Sequence, residues 1–368
     1  MQYIIKEKNK VKYRAEKIEA FIKATFLTAG ATESHAKLAS KALISADLRG
    51  VDSHGVARLS GYIRLWQQQR LNMTPQIRIA HETPSTAVID GDLGPGLIVA
   101  QEAMNLAINK AKRVGTGWVA VKNSNHFGIA GFHAMLALEH DMIGICMTNA
   151  SALVAPTFSK DRMLGTNPIA IAIPAQTEPP FVMDMATTPA ANGKLEVCER
   201  ENKVIPEGWA QDKDGQTSID NLTLKKGGAM LPLGTDRIHG SHKGYCLGAW
   251  VDIFSAILSG ANYGPWVPPF VSFLSPPPNP VGEGIGHFIG AMRIDAFRPA
   301  DDFKQHMDNW IQTIRKARNI SGHPLVQIPG DQERLIAVER LKNGIPIHSK
   351  VIEDLDQLAA KLNIDTLT

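Results

Sequence analysis

Apolar residues recur at helical spacing through the first 75 positions. Ile18, Phe21, Ile22 and Phe26 follow the i, i+3, i+4, i+8 period, and Gly30 is placed to stop that helix. Thr32 can cap a second, Ala-rich helix running to Leu48 and ending at Gly50. A third helix follows the tetrapeptide Asp52-Ser53-His54-Gly55, and Pro75 closes the region. From about residue 78 the texture changes. STAVIDGD, GTGWVAVKNS, DMIGICMTN, NPIAIAIP and PFVMDMA are short runs rich in Val and Ile, bounded by Gly, Pro, Asn or Asp, and they predict strands. Helical stretches at 99–113 and 131–140 lie between them, which makes an α/β core over 78–299.

The segment 264–284 (GPWVPPFVSFLSPPPNPVGEG) carries too much proline for regular structure. It predicts a long ordered loop, serving either as a flap or as a contact at a domain edge or subunit boundary. IGHFIGAMRIDAF predicts one more strand. The tail then returns to helix, with Phe303, Met307, Trp310 and Ile314 at helical spacing and an amphipathic helix over 351–362. We expect a discontinuous helical domain from 1–77 and 300–368, packed beside the α/β domain of 78–299.

Composition narrows the function. The 368 residues are 44% apolar and 20% charged, with 39 basic against 36 acidic side chains. A nucleic-acid or anionic-membrane partner calls for more concentrated positive charge than this. The stretches 169–174 and 244–264 are short or broken by Asp252, and the N-terminal MQYIIKEKNKVKYRAEK is too charged for a signal peptide, so neither a membrane span nor secretion is expected. Cys146, Cys198 and Cys246 form no C-x-x-C pair, which suits a reducing cytoplasm.

On the helix after Asp52, residues Val56, Leu59, Ile63 and Trp66 make the core stripe. His54, Arg58 and Tyr62 recur at i, i+4, i+8 on the opposite stripe. An imidazole that titrates near neutrality beside a guanidinium that grips carboxylates suits a small carboxylate substrate. A solvated helix face with a capping serine is the competing interpretation. Asn123-Ser124-Asn125-His126-Phe127-Gly128 follows the strand GWVAV, where α/β proteins often place catalytic groups. A turn held by Asn and Ser side chains is the alternative there. The glycines of Gly91-Asp-Leu-Gly94-Pro-Gly96 are spaced G-x-x-G-x-G, and Pro95 lacks an N–H where phosphate would need one, so we read a structural turn. No P-loop and no H-E-x-x-H occurs, and no metal site is expected.

These segments together resemble a known family. LRGVDSHGVARLSGYI, KNSNHFGIAG, TNAS, GTNPIAIAIP, VMDMATT, GSHKGY and IPGDQE occur in the order found in the type-2 malate/L-lactate dehydrogenases, which also include ureidoglycolate, L-sulfolactate and diketogulonate oxidoreductases. The resemblance spans nearly the whole chain. It implies a non-Rossmann nicotinamide-binding domain with a largely antiparallel or mixed sheet, plus the helical domain. It implies hydride transfer between NAD or NADP and a 2-hydroxy acid, malate or lactate first, by a homodimer or larger homo-oligomer. Ureidoglycolate, sulfolactate or a sugar-derived 2-oxo acid is the alternative substrate, and a non-catalytic binding protein the alternative class.

Carried over motif by motif, His54 and His126 become candidates for proton transfer, and Ser53, Arg58 and Tyr62 for substrate contact. Asp184, Met185, Ala186, Lys243, Pro329, Gly330 and Asp331 become candidates for cofactor contact. Where some members have Ser after the TN of the TNAS segment this chain has Ala150, which leaves a contact there to the backbone or to Ser151.

Overall fold

A computed structural model describes residues 9–323 and 325–368. Strand β1 (Lys10–Tyr13) leads into α1 (Ala15–Thr28) and α2 (Glu33–Leu48), and 3-10 turns at Asp52–His54 and Val56–Arg58 precede α3 (Leu59–Gln67). The middle of the chain supplies β2 (Arg78–Glu82), β3 (Thr86–Gly94), α4 (Gly96–Val114), β4 (Thr116–Ser124), α5 (Ala130–Met135), β5 (Met142–Thr148), β6 (Ile169–Ile173) and β7 (Phe181–Met185). Next come α6 (Asn192–Arg200), three two-residue strands β8 (Ala210–Gln211), β9 (Thr217–Ser218) and β10 (Ala229–Met230), and α7 (Ser241–Asp252). Strand β11 (Ile285–Arg293), α8 (Ala300–Arg315), α9 (Asp331–Asn343), β12 (Ile345–His348) and α10 (Ser349–Leu362) complete it.

Seven strands form one mixed sheet in the order β2-β3-β4-β11-β5-β6-β7. Only β3 and β4 run parallel, and α4 makes the crossover between them; the other neighbours are antiparallel. The strand-like runs read from the sequence all fall on this sheet. Central β11 is buried at its first seven positions, which is why that run shows no polar alternation. The alanines of α4 let it lie close on β4 and β11, and its core face includes Ala100, Ala103, Ala107 and Ala111.

The helical layer has its own core. Ile18, Phe21, Ile22 and Phe26 are buried against α2, α3 and the C-terminal residues Ile352, Leu355 and Leu358. The Thr32 hydroxyl accepts the His35 amide at 3.2 Å and caps α2. β1 and β12 pair antiparallel, Lys10 opposite His348 and Tyr13 opposite Ile345. Helix α8 lies elsewhere. Its buried positions are Asp308 and Ile311, and the stripe of Phe303, Met307, Trp310 and Ile314 is only partly covered. It rests beside β7, where Trp310 meets Phe181 edge-on and Asp308 accepts the amides of Gln176, Thr177 and Glu178.

A smaller lobe over residues 187–235 packs Leu195, Cys198, Trp209 and Leu224 around the β8–β10 ribbon. It matters because α6 faces the Asp52–Arg58 turn. The tempting glycine cluster is a close-packing device. A Cβ at Gly96 would lie 2.1 Å from the Asn125 carbonyl oxygen, so only glycine lets the start of α4 seat the His126 loop.

Candidate active site

The two histidine segments, 72 positions apart, meet. Asp52–Arg58 forms tight turns at the head of α3, and residues 123–128 form the loop that follows β4. Their rings stack with centroids 5.7 Å apart and planes 21° apart. The Ser53 hydroxyl lies 2.9 Å from His54 Nδ1. The Tyr62 hydroxyl lies 2.7 Å from His126 Nδ1 and 3.3 Å from the carbonyl oxygen of the same residue.

Tyr62 departs from the open polar stripe expected of it. It is fully buried, because the Pro-rich loop returns over that side of α3 and inserts Phe270. The Phe270 ring stacks on His126 at 4.4 Å and meets Tyr62 at 5.1 Å. The Ser151 hydroxyl, also buried, accepts the Phe270 amide at 2.9 Å and holds the loop down.

Arg58 is engaged along two edges of its guanidinium. Its Nε–H goes to the Ser53 carbonyl, and its two terminal nitrogens reach the Glu196 carboxylate at 3.1 and 2.7 Å. Asn192, one turn earlier on α6, donates to the same carboxylate at 2.8 Å. Gly193 allows this approach, since a Cβ there would sit 2.4 Å from Ser53 Cβ and 2.8 Å from an Arg58 nitrogen. Arg58, Glu196, Arg64 and Phe270 line a cavity of about 270 Å³.

The turn is braced from behind. Asp47 accepts the Val56 amide at 2.7 Å, and Arg340 from α9 donates to the Asp47 carbonyl and to the Asp52 carboxylate. Burial, with Asp52 adding to it, pushes the Asp47 carboxyl well up.

Electrostatics favour neutral rings. Burial first, then the Arg58 charge, lowers the His54 imidazole to about 4. Burial also takes His126 well below the ordinary histidine range, with His54, Arg58 and His287 adding to it. Both rings keep some accessible surface in this crowded setting. Burial drives the Tyr62 phenol far upward. Burial acts to raise Glu196 too, but the Arg58 charge and hydrogen bonds prevail and hold it below the usual range.

A second group gathers at the end of β7. Asp184 Oδ2 accepts the Gly131 amide at 2.8 Å, and Met185 and Ala186 follow it half-buried. Crowding pushes the Asp184 carboxyl up to about 6, with the Gly131 bond and Arg49 opposing, while one face stays open to solvent. The turn of Pro329 and Gly330 reaches the same strand, where Val182 donates to the Pro329 carbonyl at 3.0 Å. Asp331 is committed to Arg315, Arg334 and the Ile328 amide. Lys243 stands exposed in the first turn of α7, and its neighbour Gly244 packs on Leu233, whose amide donates to the Thr187 carbonyl at 3.0 Å. Among the described residues no group of three His, Cys, Asp or Glu is arranged to hold a metal, and no helix is long and apolar enough to cross a membrane.

The family model described as malate/L-lactate dehydrogenase matches residues 13–356. The chain belongs to that family. It is a hydroxy acid dehydrogenase. A malate dehydrogenase of Pyrococcus horikoshii is 41% identical over 362 residues, 98% of each chain. An L-sulfolactate dehydrogenase of Methanocaldococcus jannaschii is 38% identical over 337 residues, 91% of this chain and 93% of that one. The solved structure of the P. horikoshii malate dehydrogenase superposes with a TM-score of 0.89 at 38% identity, covering 99% of both chains.

Glu196, Phe270, Asp47 and Arg340 carry no local signature that marks them as site residues. Phe270 lies in the Pro-rich segment expected to be an ordered loop, and that proline density is the one available signal. Glu196 sits on an ordinary polar helix, four residues after Asn192, with nothing nearby in the chain to single it out.

Proposed function

We propose that the chain interconverts malate and oxaloacetate, or a close analogue bearing a second anionic group, with NAD or NADP. The meeting of His54, His126 and Arg58 carries this reading: the two rings stack 5.7 Å apart, and the Arg58 charge acts on both. Malate and sulfolactate, named for the two relatives above, are both 2-hydroxy acids with a second anion, and Arg64 lines the cavity beside Arg58 as a second cation.

Bound nicotinamide supplies the hydride acceptor or donor. Arg58 holds the 2-carboxylate and so fixes where the reacting carbon stands. A neutral imidazole takes the hydroxyl proton during oxidation and returns it during reduction. His126 suits this role. The Tyr62 hydroxyl at 2.7 Å and the Gly128 amide at 3.4 Å hold its Nδ1, which leaves Nε2 as the nitrogen that exchanges the proton. Ser53 plays the corresponding part for His54.

The β7 end fits a dinucleotide. Asp184 keeps an open oxygen for a ribose hydroxyl, and Lys243 presents an exposed ammonium for a phosphate. Asp331 has no oxygen to spare, so contact at its turn falls to the main chain of Pro329 and Gly330. We further read the enzyme as a cytoplasmic homodimer, on its three free cysteines and on the exposed apolar face formed by Trp250, Ile253 and Ile257.

The test is oxidation of NADH and NADPH, followed at 340 nm with oxaloacetate, sulfopyruvate, pyruvate and oxalurate. Oxaloacetate or sulfopyruvate should give the highest kcat/KM. His126→Ala should lower kcat by roughly 10²-fold or more, and Arg58→Ala should chiefly raise KM. Turnover of none of these acids, or wild-type kinetics in both variants, rejects the reading.

A further inference from the structure

We propose that Glu196 is a resident counter-ion that occupies the substrate carboxylate's seat on Arg58 and is displaced by it, which makes Glu196 a specificity-determining residue. The proposal rests on Arg58 as the substrate-carboxylate ligand.

A donor count motivates it. Arginine offers five N–H groups in one plane. One goes to the Ser53 carbonyl and two to the oxygens of Glu196. The two left lie on opposite edges of the plane, so they cannot grip one carboxylate as a fork. A substrate carboxylate can therefore take Arg58 in two-pronged fashion only where Glu196 now sits. The exchange replaces one carboxylate with another, leaving Arg58 paired before and after, and the anion that faces Arg58 and His54 is preserved.

Glu196 is built to leave. Its side chain is 32% exposed against 15% for Arg58, and both line the cavity of about 270 Å³ that gives it room to swing. Arg64 lines that cavity too and supplies a cation for it to move toward. Asn192 is its other hydrogen-bond partner and steadies it in the seat. A compound without a carboxylate gains nothing on Arg58 that Glu196 does not already provide, so the pair discriminates against neutral 2-oxo compounds.

Oxamate, a carboxylate that accepts no hydride, is the probe, titrated by calorimetry into enzyme saturated with NADH or NADPH. Glu196→Gln should bind oxamate about two- to fivefold more tightly than wild type, the size of a part-exposed ion pair. Asn192→Ala, which loosens Glu196 without removing it, should move affinity the same way by a smaller factor and serves if the first variant does not fold. Affinity for the neutral diamide oxamide should not change. Unchanged or weaker oxamate binding in folded Glu196→Gln overturns the proposal. If Arg58→Ala then abolishes oxamate binding, the role of Arg58 survives. If Arg58→Ala binds oxamate like wild type, the underlying assignment of Arg58 fails instead.

Discussion

The Tyr62 hydroxyl stands 2.7 Å from Nδ1 of His126 and 3.3 Å from the carbonyl oxygen of that same residue. One phenol thus touches both the ring and the backbone of the residue it supports, and fixes the orientation of that ring. Tyr62→Phe keeps the packing against Phe270 and removes this link. We expect kcat to fall about tenfold with KM changed by less than about twofold, as for a group that orients a proton carrier. A rise in KM with kcat intact would instead make Tyr62 a direct substrate ligand.

Activity should report the lowered histidines. With His54 at about 4 and His126 displaced in the same direction, both rings stay neutral as pH falls through the ordinary histidine range. For hydroxy acid oxidation the neutral ring is the working form, so kcat/KM should hold flat between about pH 8 and pH 6 and drop below about pH 5. An inflection near pH 6.5 in the free enzyme would contradict the buried setting described above.

Stability should fall on acidification for a related reason, centred on the neighbouring pair His133 and His287. Burial lowers them to about 4 and about 3 from 6.5, with His133 adding to the effect on His287. Their stabilisation is complete above the unfolded value and is lost as pH drops toward the folded values. For His133 alone the loss is on the order of 3 kcal/mol once the pH is below about 4, of which about 2 kcal/mol is expressed by pH 5. Urea unfolding at pH 7.5 and pH 5 should show it, and His133→Phe should flatten the dependence. An equal pH slope in both proteins would remove His133 from the account.

Gly193→Ala is expected to damage binding more than folding. The added methyl would overlap Ser53 and the Arg58 guanidinium, and the lobe carrying α6 has to shift to relieve it. KM for the hydroxy acid should rise roughly tenfold, with Tm lower by only a few degrees. Steady-state kinetics beside a thermal melt separates this from simple destabilisation.

Local pattern carried much of the molecule. The Ile18–Phe26 stripe, the Thr32 cap and the Val- and Ile-rich strand runs each answer to short-range rules, and each appears in the fold. The two histidine segments were visible because each pairs an imidazole with a structural boundary. Partners across long separations left no such mark. Glu196 reaches Arg58 over 138 positions, and Phe270 covers His126 from a loop with no periodicity at all. The same gap hid the burial of Tyr62: helical spacing assigns a face, but what covers that face is a tertiary fact. For α8 the spacing gave a helix, while its seat beside β7 depended on Asp308 meeting the amides of 176–178.

The brace between Arg340 and Asp52 spans 288 positions of chain, and β1 pairs with β12 over a longer interval still. Loop-closure entropy makes such contacts late events, and during synthesis neither can form until nearly all the polypeptide has emerged. Both histidines are made early, yet the turn that holds the first waits for a helix near the opposite end. A chain interrupted before residue 340 would carry every proposed proton-transfer group and lack the support that aims them, so this architecture ties reactivity to completeness.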